Sequence, residues 1–138
     1  MQVEMSRIDS DFHFQAKGSS GVLVNIDASS NIGGHEAGAR PMELILMGLA
    51  GCSAIDVIQI LRKQKLEMED IDIKVKAERV PDEIPSVFKK IHVHFVIKGE
   101  LPLNKVSRAI ALSIDKYCSV TAMLRHSVEI THSFEVIP

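Results

Sequence analysis

The sequence predicts an α+β fold, and three observations carry that expectation. Short segments bounded by turn residues fill the first 26 positions. One long apolar segment then runs from Pro41 towards Lys65, and two later segments, 70–80 and 88–98, alternate polar and apolar residues. Alternation at period two marks strands with one buried face, whereas an apolar run of that length marks a helix. The element order is three strands, long helix, two strands, helix, strand. A βαβα repeat would be needed for an all-parallel sheet, and this order does not supply one.

Residues 2–8, 12–16 and 22–26 read as three short strands, separated by Asp9-Ser10-Asp11 and by Lys17-Gly18-Ser19-Ser20-Gly21. Spacing this tight suggests an antiparallel meander. Residues 27–39 hold three glycines and read as a loop. Pro41 then opens a helix over 41–65, since proline is tolerated in the first turn, where its missing N–H has no intrahelical partner. Arg62, Lys63 and Lys65 at the far end suit the negative pole of the helix dipole. In the strand at 88–98, Ile91, Val93, Phe95 and Ile97 share one face and Lys90, His92, His94, Val96 and Lys98 the other. Pro102 starts a second helix reaching Tyr117, a short helix follows Cys118, and 128–137 forms the last strand.

The chain has 138 residues, one domain by length, with 16 Lys plus Arg against 18 Asp plus Glu. That balance lacks the basic excess of a nucleic-acid binder. Aromatic residues make up 4%, so stacking platforms for bases are not expected. The first residues do not have the basic-then-apolar layout of a signal peptide. The longest uncharged apolar stretch, Leu44 to Ile55, is 12 residues, short of a membrane span. The expectation is a cytoplasmic chain with reduced thiols and no membrane association.

That uncharged stretch carries a further implication. At 100° per residue, 12 positions cover every side of a helix. A helix that is apolar all round is surrounded by protein. A small two-layer monomer leaves one helix face wet, so a second copy of the chain is the simplest cover. Gly48 and Gly51 would let another backbone approach closely.

Cys52 and Cys118 are the two cysteines, too few for a disulfide scaffold. Cys52 lies mid-helix, away from the dipole end that favours a thiolate. Asp56, one turn on, sets a carboxylate beside it, an unfavourable neighbour for a thiolate unless a cation offsets it. Read from composition alone, Cys52 is a small packed hydrophobe. Cys118 falls where one helix ends and another begins, and the start of the second would favour its thiolate. Sequence spacing leaves open whether the two meet.

The segment Arg40-Pro41-Met42-Glu43-Leu44-Ile45-Leu46-Met47-Gly48-Leu49-Ala50-Gly51-Cys52, with Lys116-Tyr117-Cys118-Ser119-Val120 after the next long helix, resembles the OsmC/Ohr family. That family comprises the osmotically inducible and organic hydroperoxide resistance proteins. The stretch from Glu78-Arg79 through Pro85-Ser86-Val87-Phe88 to Gly99 is similar to its YhfA-like bacterial subgroup. The resemblance covers nearly the whole chain, 1–138, as a single OsmC-like domain. It implies an intertwined homodimer, with antiparallel sheets packed around long central helices. It also implies a two-cysteine thiol peroxidase for organic hydroperoxides, with Cys52 as the attacking and Cys118 as the resolving residue. The reductant would be a dithiol, in some members a lipoyl-protein.

Peroxidase members of the family set an Arg and a Glu beside the thiolate, with the Glu directly after Pro and ten residues before the cysteine. Met42 holds that position here, and the carboxylate comes one residue later, at Glu43. A nine-residue offset is 900° along a regular helix, half a turn away from Cys52. Glu43 is therefore a candidate helper whose direction must differ, and Arg7 and Arg40 are the arginines of the N-terminal part. The alternative function is a non-catalytic dimer holding a small apolar or thiol-bearing ligand. His92 and His94 have the spacing of a two-ligand metal pair on a strand, but no acidic residue or cysteine stands near them in sequence, so a polar sheet face is expected. His35-Glu36 lies in the glycine-rich loop, and Gly33-Gly34 lacks the strand–loop–helix context of a phosphate cradle. No cofactor and no metal site is expected.

Overall fold

The computed structural model describes all 138 residues. In chain order the elements are β1 (Glu4–Arg7), β2 (Phe14–Lys17), β3 (Leu23–Ile26), a 3₁₀ turn (Ser30–Ile32), α1 (Pro41–Lys63), β4 (Asp70–Arg79) and β5 (Phe88–Lys98). Then follow α2 (Leu103–Leu112), a π turn (Ser113–Tyr117), α3 (Ser119–Leu124) and β6 (Glu129–Ile137). The chain divides into two compact units, Met1–Met47 and Gly48–Pro138, the division falling inside α1.

The first unit holds the expected antiparallel meander, ordered β1-β2-β3, with Met5 opposite Ala16 and Ala16 opposite Val24. Among its strand residues only Ala16 is buried, while Met5, Leu23 and Val24 are exposed. The loop after β3 is organised by Asp27, which is 1% exposed. Its carboxylate accepts the N–H groups of Ala28 at 2.8 Å, His35 at 3.0 Å and Ala37 at 3.2 Å. Burial works against its charge, but these three donors prevail and hold the carboxyl below the usual aspartate range. Gly34 is required in the same loop, because a Cβ there would collide with the carbonyls of Ala28 and Ser29.

The second unit holds the sheet β4-β5-β6. β4 and β5 pair antiparallel, Ile73 opposite Phe95. β6, however, runs parallel to β5, Phe134 beside Phe95, which departs from the antiparallel sheets expected. The reason lies in the connection: α2, the π turn and α3 form a crossover that returns the chain in the same direction, and a parallel neighbour needs a crossover of that kind. The face of β5 bearing Ile91, Val93, Phe95 and Ile97 is at most 1% exposed. With Val57 and Leu61 of α1 and Val106, Ala109 and Ile110 of α2, these residues make the core of the unit.

Helix α1 has the start and stop the sequence indicates, but its burial is narrow. Leu49, Ser53, Val57 and Leu61 are its buried residues, one stripe at every fourth position. Ile45, Met47 and Ile55 are exposed, and a Cβ added at Gly48 or Gly51 would meet nothing within 4 Å. The whole 23-residue helix, unlike its 12-residue uncharged centre, is long and apolar enough to cross a membrane by length and composition.

Candidate functional site

The site is assembled from α1 and from the junction between α2 and α3. Cys52 and Asp56 stand four residues apart on α1, the spacing that places two side chains on one helix face. Beyond α2 the helix widens into the π turn, and the Cys118 N–H donates to Ser113 O at 2.7 Å, five residues back. Cys118 then leaves the helical region, with φ −70° and ψ 109°, and becomes the N-cap of α3. In that role its Sγ accepts the Thr121 N–H at 3.4 Å. This single turn swings the thiol towards α1. Cys52 Sγ, Cys118 Sγ and a carboxylate oxygen of Asp56 all lie within 4.8 Å of one another.

The structure thus brings together two cysteines that stand 66 positions apart in the sequence. Cys52 is partly exposed, whereas Cys118 is 2% exposed. Burial pushes the Cys118 thiol above its ordinary value. Thr121, by its side chain and then its N–H, opposes that shift, and the Cys52 sulfur beside it adds to it, since two neighbouring thiolates repel. Cys118 therefore holds its proton to higher pH than an ordinary thiol.

Ser113 fixes the carboxylate. Its buried hydroxyl lies 3.1 Å from Ser53 O and 3.2 Å from Asp56 Oδ2, one proton shared between two acceptors on α1. Asp56 belongs to none of the chain's ion pairs. A cleft of about 350 Å³ opens on it, with Gln59, Lys63, Leu112 and Tyr117 in its walls. Thr121 Oγ1, in a residue 3% exposed, has no hydrogen-bond partner. The Asp56 contribution is legible from its i+4 spacing. Ser113 escapes sequence reasoning because a π turn carries no residue signature, and Thr121, in α3, because its place beside Cys118 depends on where that turn ends.

Glu43 lies in the first unit and accepts the Arg40 N–H at 2.9 Å, the backward reach of an acidic residue in a helix's first turn. Arg40 pairs in turn with Glu36 at 3.2 Å, both exposed. His35 Nε2 is 2.8 Å from Asp11 Oδ2. That hydrogen bond to a carboxylate raises the imidazole above its ordinary value. On the β5–β6 face, His92 Nδ1 lies 2.6 Å from Thr131 Oγ1 and its Nε2 2.7 Å from Ser133 Oγ. His94 Nδ1 shares Ser133 Oγ at 2.7 Å. The acidic neighbour missing from the local sequence comes from β6, with Glu135 at 3.5 Å from His94 Nε2.

Comparison with known proteins extends this geometry. The family model for OsmC-like protein matches residues 33–133. Protein YhfA of Escherichia coli K12 is 41% identical over 125 residues, covering 90% of each chain. A hypothetical protein from Aquifex aeolicus VF5 has a solved structure 31% identical to this chain, with a TM-score of 0.81 over 99% of this chain and 97% of that one. The organic hydroperoxide resistance protein OhrB of Bacillus subtilis superposes with a TM-score of 0.67 at 20% identity, covering 98% of each chain. A family match spanning both cysteine segments, a relative at 41% identity over 90% of its length and a shared fold agree, and the chain belongs to the OsmC-like protein family.

Proposed function

We propose that this protein is a cysteine-based peroxidase that reduces organic hydroperoxides in the cytoplasm as a homodimer. The observation that carries this reading is the convergence of Cys52 and Cys118 sulfurs within 4.8 Å, one partly open to solvent and the other buried. The Cys52 thiolate attacks the peroxide oxygen distal to carbon, the O–O bond breaks, and the alkoxide leaves with a proton as the alcohol. Cys52 is then a sulfenic acid. The Cys118 thiol condenses with it, an S–S bond forms and water departs. A dithiol, a lipoyl-protein among the candidates, returns two electrons and two protons. Glu43 is retained in this proposal as an electrostatic helper at the start of α1. Support comes from OhrB, described as an organic hydroperoxide resistance protein, which shares the fold.

The homodimer reading rests on α1. A helix with a single buried stripe and with Ile45, Met47 and Ile55 exposed needs cover. A bilayer is a poor cover for a helix carrying Asp56 and Gln59 in its second half, because an ionised side chain in lipid is costly. A second copy supplies apolar residues and leaves those groups at a wet site. The unpaired carboxylate of Asp56 beside the thiols favours one rival reading, a non-catalytic dimer that holds a small ligand. Stoichiometric consumption of cumene hydroperoxide by the reduced protein separates them. Rapid loss of one peroxide per chain supports the peroxidase, and a rate no faster than a free thiol's supports the rival.

A further inference from the structure

We propose that the reduced site binds one zinc ion per chain through Cys52 Sγ, Cys118 Sγ and an oxygen of Asp56, with the fourth position left to solvent or to a ligand. The argument begins with the donor set. Two sulfurs and one carboxylate oxygen, from two separate segments, lie within 4.8 Å of one another. Around a tetrahedral zinc ion with Zn–S of about 2.3 Å and Zn–O of about 2.1 Å, donors stand roughly 3.5–3.8 Å apart. Small side-chain rotations close the remaining gap. Three protein ligands with an open fourth position is the pattern of reactive zinc sites. Soft sulfur donors select zinc over magnesium or calcium.

The surroundings fit as well. Asp56 Oδ2 takes the Ser113 hydroxyl at 3.2 Å, which orients the carboxylate and leaves the other oxygen free to coordinate. The Thr121 N–H already points at Cys118 Sγ, an N–H···S bond that supports a coordinated thiolate. Thr121 Oγ1, buried without a partner, supplies a second donor on the same turn. Asp56 has no Lys or Arg partner, so a cation between it and the two thiolates would neutralise a site that otherwise gathers negative charge. Binding displaces two protons from the thiols. Metal and disulfide then exclude each other: two zinc-bound thiolates, one hydroperoxide and two protons give the disulfide, the alcohol, water and free zinc. The binding itself needs only the reduced thiols; the release step rests on the peroxidase reading.

The test uses untagged, reduced, full-length protein without oxygen. Zinc is titrated by calorimetry against a competing chelator, and cobalt(II) serves as a spectroscopic probe. The expected result is one zinc per chain with a Kd below about 1 μM, a tetrahedral cobalt spectrum with sulfur-to-metal charge-transfer bands, and protection of both thiols from iodoacetamide. Asp56→Asn should weaken binding tenfold or more while leaving the circular dichroism spectrum unchanged. Cys118→Ser should halve the charge-transfer intensity. Equal affinity in Asp56→Asn overturns the proposal, as does binding that survives alkylation of both cysteines, which would place the ion on histidines. Peroxide turnover is measured separately on chelator-treated protein. Zinc binding without turnover removes the peroxidase reading alone, and turnover without zinc binding removes this inference alone.

Discussion

Ser113 and Asp56 meet through a 3.2 Å hydrogen bond that spans 57 positions of sequence. The same hydroxyl lies 3.1 Å from Ser53 O, so one buried side chain ties the α2 end to two successive turns of α1. Ser113→Ala should cost about 1 kcal/mol of stability, the usual net worth of a buried hydrogen bond. Denaturant unfolding of the two proteins measures it. An unchanged midpoint would show that this contact does not hold the site together.

One equivalent of cumene hydroperoxide should convert the reduced protein to a Cys52–Cys118 disulfide, with the intact mass falling by about 2 Da per chain. Cys118→Ser should leave a sulfenic acid at Cys52 that dimedone traps, and excess peroxide should carry it to the sulfinic state. Cys52→Ser should consume no peroxide, since a hydroxyl without an adjacent base is a weak nucleophile. Two thiols that stay reduced under these conditions would end the two-cysteine reading.

The two faces of α1 should respond differently to the same charge. Leu49 is 0% exposed, so Leu49→Lys should destabilise by about 3–5 kcal/mol, the cost of an unpaired buried charge. Ile55 is 59% exposed, so Ile55→Lys should fold. If a second copy covers that face, wild type should sediment at twice 15.2 kDa and Ile55→Lys at 15.2 kDa. A wild-type monomer at micromolar concentration refutes the dimer.

His35 should titrate above the ordinary histidine value, because Asp11 lies 2.8 Å from its Nε2. A raised folded-state value means that the pair stabilises the first unit fully below about pH 6.5, the unfolded histidine value. That contribution fades as the pH rises through the folded value. Proton NMR of the imidazole should show the shift, and Asp11→Asn should reduce it.

Asp27 shows the opposite linkage. Its folded carboxyl is held low, so its contribution is present above about pH 4, the unfolded aspartate value, and is lost as the pH falls through the folded value. Protection of the His35 and Ala37 amides, relative to their intrinsic exchange rates, should fall in that acidic range before the β4–β6 sheet opens. Asp27→Asn should bring the same loosening at neutral pH.

Much of this fold is legible because its signals are local. Pro41 with Arg62 and Lys63 marks α1, and the alternation of Ile91, Val93, Phe95 and Ile97 marks the buried face of β5. The parallel pairing of β5 with β6 is not local, since it depends on how the intervening crossover packs, and so the approach of Glu135 to His94 is invisible in the sequence. The thiol pair is likewise set by tertiary structure. Family resemblance assigns Cys52 and Cys118 together, whereas composition reads each as a packed small residue. The nine-residue spacing from Glu43 to Cys52 predicts a half-turn offset on a regular helix, and the Glu43 carboxylate accepts the Arg40 N–H.

The π turn at Ser113–Tyr117 also bears on how such a site can change over generations. A π turn amounts to one extra residue accommodated within a helix. Deleting a single position between Ser113 and Cys118 would restore ordinary α-helical pairing and rotate Cys118 by about 100°. Both cysteines would survive such a deletion, yet their sulfurs would no longer face each other. Whether the two sulfurs face each other therefore hangs on one codon, at a stretch where neither cysteine is altered. Relatives that keep both cysteines but differ in length by one residue there should be sorted by that spacing before they are grouped by motif.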